Sequence, residues 1–302
     1  MGRDVPSVFL MLRLWIWKIF CTFARMKMKT IGCLLVGLLL VTACHDTAED
    51  HTFTHELLLP MTPVKDQGKS ELCWAYAMLA TIETEHLLRG DSVNLSAQYL
   101  GRMLPRYQRQ VLVRQGQGAA EQSSAHSQRA MGQTALNLLQ RYGVVGYEVM
   151  PDDATSELPT PKNVFMLGAR YTPVEFAHSV CAPGEYVSLT SFPDSPYYKR
   201  IDVPIPDNWE HNQLLNIPPD TLRHRVNRAL RHRHPVCWES RGHAMAIVGL
   251  AHDENHHSYY VLKNSWGARR SHGGLVYMSA RRLWRDVVAV YMTRDAYEGK
   301  GQ

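Results

Sequence analysis

The chain has 302 residues, 45% hydrophobic and 20% charged, with a formal net charge of +5. That is enough sequence for one large domain or two lobes with a proper core, and the composition is that of a folded globular protein. The mild positive charge, with no strand-and-aromatic pattern beside it, gives no reason to expect a nucleic-acid partner.

Residues 1–25 carry an apolar patch, Val8 to Phe23, upstream of a complete secretion signal, and read as a doubtful extension. A start codon placed too early accounts for them, and a membrane-associated extension is the alternative. From Met26 the sequence gives two lysines, the apolar run Ile31 to Val41, and then Thr42-Ala43-Cys44. Basic residues, a short apolar run and small residues before a cleavage point make residues 26–43 a signal peptide, since a membrane span needs ~20 apolar residues. Val41-Thr42-Ala43-Cys44 also resembles a bacterial lipobox, which implies lipidation of Cys44 and a lipid anchor at the cell envelope, on the periplasmic or outer-membrane face. A plain signal peptide with a chance Cys44 is the competing reading. Residues 44–60, opening with His45-Asp46-Thr47-Ala48-Glu49-Asp50, read as a solvated tether.

Cys73 opens an apolar run of helix formers, Ala75 to Leu79, and Gln67 lies six residues ahead of it. A thiol at a helix N-terminus meets unpaired backbone N–H groups and the positive end of the dipole, which favour the thiolate. A glutamine amide just upstream can donate to the oxyanion formed when sulfur attacks a carbonyl. The helix is expected to run to about Arg89 with Gly90 as its stop, apolar nearly all round in its first half and therefore buried. Ser96 caps a short second helix, and Arg106 to Ala130, rich in Gln, Gly, Ser and Arg, reads as a surface excursion. Met131 to Tyr142 is an amphipathic helix stopped by Gly143, followed by an extended segment, Val144 to Met150. Pro151 to Pro161 is a polar loop, Val187 to Phe192 a strand, and proline-rich Ser195 to Pro219 irregular. Thr221 to Arg233 is a basic amphipathic helix with Leu222, Val226 and Leu230 on one face. Its arginines and the nearby His232 and His234 read as a solvated face rather than a metal site.

The last third turns to strands at Ala244 to Leu250, Ser258 to Lys263, Gly274 to Met278 and Val287 to Thr293, the first two joined as a hairpin through Asp253-Glu254-Asn255. His243 heads the first of these strands and Asn264 ends the second. Paired as a hairpin, the two side chains meet; the asparagine oxygen then fixes the imidazole tautomer and turns its other nitrogen toward a thiol. Trp266 shields that hydrogen bond from water. A thiolate–imidazolium resting pair is the expectation. Of the six cysteines, Cys21 and Cys33 precede the cleavage point and Cys44 is the lipidation candidate. Cys73, Cys181 and Cys237 remain, an odd number, so at least one thiol stays free, and a Cys181–Cys237 disulfide is left open.

Together Gln67, Cys73, His243 and Asn264-Ser265-Trp266-Gly267 resemble the papain-like cysteine peptidases. Within these, Gly132-Gln133, Leu138 to Val145 and Tyr186-Val187-Ser188-Leu189-Thr190-Ser191-Phe192 are similar to the bleomycin hydrolase/aminopeptidase C branch, over roughly Pro60 to Ala296. The resemblance implies a two-lobed α+β fold in residues 61–297: a helical lobe over 61–180, an antiparallel β lobe over 181–297, a cleft between them, and a tail over 298–302. It implies Cys73 as nucleophile, His243 as general base and acid, Asn264 as orienter, Gln67 in the oxyanion hole, and peptide hydrolysis through a thioester with no cofactor or metal. Glu71 and Trp74 are expected at the substrate pocket, and a peptide or protein is the expected partner.

Three departures qualify the resemblance. The family carries glycine two residues before the nucleophile, where this chain has Glu71. A carboxylate there either narrows the pocket, leaving a non-catalytic binding scaffold, or pairs with a substrate's free amino group and favours aminopeptidase action. Cys237-Trp238-Glu239-Ser240 runs almost directly into Gly242-His243, without the insert that similar proteins carry, which opens the cleft and leaves oligomeric state undetermined. The tail after Ala296 is short, so endopeptidase action stays open.

Overall fold

A computed structural model describes residues 52–116, 127–155, 157–166 and 168–301. The expected signal peptide, Cys44 and the first part of the tether lie outside these residues.

Helix α1, Cys73–Leu88, is buried from Trp74 to His86, as its all-round apolar first half requires. It ends at Arg89, and Gly90 leaves it at φ +88°. Helix α2, Ala97–Arg114, begins where expected, with the Ser96 hydroxyl accepting from the Tyr99 N–H at 3.1 Å. It is longer than expected. Arg106 to Arg114 belongs to the helix rather than to a surface excursion, although Pro105 stands inside it. The proline removes one helical hydrogen bond. Tyr107 and Val111 nevertheless extend the buried stripe of Leu100 and Leu104 by another two turns, and that burial outweighs the lost bond. The rest of the expected excursion, residues 117–126, lies outside the described residues.

Helix α3, Gly132–Tyr142, stops at Gly143 with φ +79°. A side chain at Gly143 would place its Cβ 2.0 Å from the Pro173 carbonyl carbon, so glycine is needed twice over. Pro173 opens helix α4, Pro173–Val180, which the sequence reading did not anticipate. Its start is a capping box between Thr172 and Glu175 with proline in the first turn.

Eleven strands follow the order β1 Thr54–Leu58, β2 Val164–Met166, β3 Ala169–Tyr171, β4 Tyr186–Thr190, β5 Lys199–Asp202, β6 Gln213–Asn216, β7 Val236–Ser240, β8 His243–His252, β9 Ser258–Lys263, β10 Leu275–Ser279 and β11 Val287–Thr293. The main sheet runs β10-β9-β8-β7-β11-β4-β6-β5, with β1 added to β8 and β2–β3 a separate pair. It is antiparallel except for β4 beside β6. Strands β5 and β6 correct the irregular reading of Ser195 to Pro219: the prolines at 196, 204, 206 and 218 flank these four-residue strands rather than interrupt them. Val144 to Met150 forms only a single bridge, Gly146 to Leu95. Strand β1 falls in the stretch read as tether.

Helix α5, Pro219–Arg231, buries Leu222, Val226 and Leu230 as expected. Helices α6, Ala280–Asp286, and α7, Arg294–Glu298, flank β11. His234 is not on a solvated face. It is buried, with Nδ1 3.0 Å from a Glu85 oxygen and Nε2 2.9 Å from the Lys300 carbonyl oxygen. Cys181 and Cys237 are both buried and free, so the open disulfide does not form. Among the described residues no helix is long and apolar enough to cross a membrane.

α1 packs against β8 and β7. At its middle Glu83, 0% exposed, gathers the Thr62 hydroxyl, the Lys65 ammonium, the Leu95 N–H at 2.7 Å and the Lys263 ammonium at 3.9 Å. One carboxylate thus joins the segment before the Gln67 turn, α1, the entry to α2 and the end of β9. Removing it leaves two buried ammonium groups without their counter-charge. Glu83→Ala is expected to lower stability by about 3–5 kcal/mol, seen as a fall in the denaturant midpoint; a midpoint within experimental error of the parent would show the cluster to be dispensable.

Candidate active site

The chain turns sharply before α1. Gly68 takes φ +57°, its N–H donates to Asp66 Oδ1 at 2.9 Å, and Ser70 donates both its N–H and its hydroxyl to the Gln67 carbonyl at 3.0 and 2.7 Å. Leu72 precedes the helix without a side-chain cap, so the first N–H groups of α1 keep their donors free for other acceptors. Cys73 is the first residue of the helix. The Trp74 N–H of its own first turn and the Ala244 N–H of β8 both act on the thiol, each favouring its charged form. The second contact sets the strand that begins at His243 directly over the thiol.

His243 follows a two-residue turn, Arg241-Gly242, with Gly242 at φ +91°. Nε2 lies 2.9 Å from Asn264 Oδ1, and Asn264 Oδ1 also accepts from the Ser265 N–H at 2.8 Å. Two donors on one atom identify it as the amide oxygen. Nε2 therefore carries the hydrogen, and Nδ1 is left as the basic nitrogen on the other side of the ring. The Trp266 indole stacks on the imidazole, centroids 4.8 Å apart at 29°, with 47% of its own surface still exposed. Among the described residues no hydrogen bond joins Cys73 to His243; they face each other across the same cleft, together with Gln67, Glu71, Arg129, Glu239 and Trp266.

Gln67 is locked to the asparagine loop. Its Oε1 accepts from the Ser265 hydroxyl at 2.6 Å, and its backbone N–H donates to the Ser265 carbonyl at 2.8 Å. Nε2 donates one hydrogen to the Ser70 carbonyl at 2.6 Å, which leaves the amide a second.

Burial pushes the Cys73 thiol up to about 11 against the Ala244 N–H, with the Glu239 carboxyl adding to the rise and the Trp74 N–H and Arg129 opposing it. Burial also lowers the His243 imidazole, against the bond to Asn264. Both partners are driven toward their neutral forms, so the resting pair is thiol and imidazole. Both shifts run against the thiolate–imidazolium pair expected from the sequence, with desolvation of each group as the largest cause.

Of the residues expected at the pocket, Glu71 lines the cleft on its exposed rim and does not plug it. Trp74 does not line it. It is 1% exposed, and its Nε1–H donates to the Gln128 carbonyl at 2.8 Å, pinning the segment that carries Arg129 and Ala130 to the cleft wall. Arg129 makes two bonds to Asp207, Nε to Oδ1 at 2.9 Å and a terminal nitrogen to Oδ2 at 2.8 Å. The sequence reading missed Arg129, Asp207 and Glu239 as cleft residues. Glu239 is the one acid of strand β7, Val-Cys-Trp-Glu-Ser, and nothing local marks it as facing the cleft. Among the described residues no group of three or more His, Cys, Asp or Glu side chains could hold a metal ion.

No family model matches the chain. Its sequence is 24% identical over 235 residues to ananain of Ananas comosus, covering 75% of this chain and 53% of that protein. It is 23% identical over 244 residues to a cysteine proteinase of Theileria parva, covering 77% of this chain and 44% of that one. The chain thus spans about half the length of the curated relatives it matches. In structure it is similar to PepW of Lactobacillus rhamnosis HN001, with a TM-score of 0.68 at 15% sequence identity over 98% of this chain and 94% of that one. The fold is the papain-like α+β fold that the sequence resemblance implies.

Proposed function

We propose that this protein is a papain-like cysteine peptidase that hydrolyses peptide bonds through a thioester. The observation that carries the reading is Cys73 and His243 lining one cleft, with Asn264 bonded to the imidazole and Trp266 stacked on it, in a chain whose sequence relatives include a cysteine proteinase. Sγ of Cys73 attacks the substrate carbonyl carbon as its proton passes to His243 Nδ1. The oxyanion takes the spare Gln67 N–H and the Cys73 backbone N–H. The carbon–nitrogen bond then breaks, His243 returns the proton to the leaving amine, and a thioester remains. Water attacks it with His243 again as base, and release of the acid regenerates the thiol. Iodoacetamide should alkylate Cys73, with His243→Ala slowing labelling at pH 7 by roughly a hundredfold or more. Because the thiol lies near 11 and the imidazole below its usual range, the labelling rate should climb steadily from pH 6 to 10. A flat rate between pH 5 and 8 would instead mark a charged pair at rest. Cys73 that is inert at every pH would leave the binding scaffold as the surviving reading.

We assign the finer mode, action on free N-termini, to Glu71, in line with the bleomycin hydrolase/aminopeptidase C-like motifs. Arg294 to Lys300 docks by α1's C-terminal end, where His234 links Glu85 to the Lys300 carbonyl, roughly 18 Å along the helix from Cys73 at 1.5 Å per residue. Glu71→Gly is expected to cut the ratio of cleavage of free over N-acetylated peptides about tenfold. An unchanged ratio removes the aminopeptidase mode and leaves the peptidase. The lipid anchor at Cys44 and a bacterial cell-envelope location belong to the same proposal and rest on the lipobox-like sequence; mass spectrometry of the mature N-terminal peptide should find a lipid-modified Cys44, and any other N-terminus would remove the anchor.

A further inference from the structure

Glu239 is 3% exposed on β7, yet it lines the cleft beside Cys73. Its two protein hydrogen bonds fall on one oxygen: Oε2 accepts from the Tyr291 hydroxyl at 2.7 Å and from the Gly132 N–H at 3.2 Å. Oε1 takes no hydrogen bond among those of the described residues, and no cation pairs with the carboxyl. The nearest guanidinium, Arg129, is committed to Asp207 by two bonds. The anchor is built with care. Gly132 opens α3, and a Cβ there would come within 2.6 Å of the Tyr291 ring, so the glycine lets the phenol and the helix N-terminus reach the same oxygen. The remaining walls near it, Ala130, Gly242 and Ala244, are small.

We propose that Glu239 is a specificity residue, its free oxygen receiving the cationic side chain of a lysine or arginine in the peptide bound at Cys73. The inference rests on the peptidase reading. Among the described residues only the Tyr291 and Gly132 donors stabilise this buried acid, whereas a substrate ammonium or guanidinium would supply a counter-charge and further donors together. Burial also pushes the Glu239 carboxyl up to about 8, against the Tyr291 and Gly132 bonds and with a small addition from Asp207. The charged or titratable groups around it are Cys73 on α1, His243 on β8, Tyr291 on β11, Cys237 on its own strand, and Arg129, Asp207 and Glu71 at the cleft wall. The empty site therefore holds a neutral acid near pH 6 and a carboxylate above pH 8, and the attraction for a cation grows with pH across that interval.

The test uses two N-acetylated peptidyl epoxides, identical save for lysine or norleucine, on the full chain. Acetylation removes the free amine that Glu71 would read, and taking the ratio of their second-order labelling rates cancels the ionisation of Cys73. A lysine-to-norleucine ratio of roughly ten or more at pH 9 is expected, from the strength of a charge-assisted hydrogen bond. The ratio should fall several-fold by pH 6 in the parent and drop to near one at all pH values in Glu239→Gln. The parent's pH series stands even where the variant does not fold. A ratio near one in the parent, or one flat from pH 6 to 9, or one that Glu239→Gln leaves unchanged, overturns the assignment. Labelling by iodoacetamide alongside separates the two levels. If iodoacetamide alkylates Cys73 while the ratio fails, only the specificity assignment falls; if Cys73 reacts with neither reagent, the peptidase reading falls and takes the assignment with it.

Discussion

The bond from the Ala244 N–H to the Cys73 sulfur ties the site to the fold. It brings the first turn of a buried helix beside the first residues of a strand some 170 positions later. Small side chains border that approach: Ala77 and Ala80 of α1 and Ala244 of β8 line one small cavity with Asn264. A branched residue at any of these positions would lift the strand off the helix and carry His243 away with it. The Glu83 cluster fixes the same approach from the other side, since Lys65 leads into the Gln67 turn and Lys263 ends the strand that delivers Asn264. Packing and electrostatics therefore act on one coordinate, the separation of α1 from the sheet.

Close approach sets the chemistry as well as the geometry. A sulfur held under a strand loses water, and burial outweighs both N–H groups that reach it. His243 loses water too. Under the proposed mechanism, a thiol and an imidazole both held toward their neutral forms would transfer the proton as the sulfur–carbon bond forms. The stack of Trp266 on the imidazole and the two donors on Asn264 Oδ1 then matter more than they would for a preformed ion pair. They fix the ring's orientation and leave Nδ1 unengaged by the asparagine.

Much of this was legible in the sequence, and the parts that were not share a cause. Cys73, His243, Asn264 and Gln67 stand at the ends of elements whose periodicity and glycine stops mark them clearly: α1 with Gly90, and strands β8 and β9 with their hairpin. The extension of α2 was hidden because Pro105 and the polar Gln and Arg residues mask a stripe that only Tyr107 and Val111 continue. α4 was overlooked although Thr172-Pro173-Val174-Glu175 carries its capping signal, because the helix is only eight residues long. Glu239 was beyond local reading. Its strand is buried on both faces, so alternation says nothing about which way the carboxyl points. Its partners lie 52 and 107 positions away, at Tyr291 and Gly132. Trp74 misled for the opposite reason: an aromatic beside a nucleophile suggests a substrate wall, while its indole N–H is engaged in holding another wall in place.

The walls of the cleft explain why charge, more than shape, falls to be the basis of selection here. The turn between β7 and β8 is two residues long, and the residues through Lys300 dock at the far end of α1, so neither reaches over the site. What borders the sulfur is instead a set of side chains of definite charge. Arg129 and Asp207 neutralise each other above Gly242, whose missing Cβ leaves room for the guanidinium at 3.0 Å. That pairing removes the one cation that would otherwise satisfy Glu239. The two acids left, Glu71 at the rim and Glu239 at the floor, sit at different depths and differ in hydration, so they attract cations of different reach. On the proposed reading, acids at two depths would discriminate by where a substrate carries its positive charge.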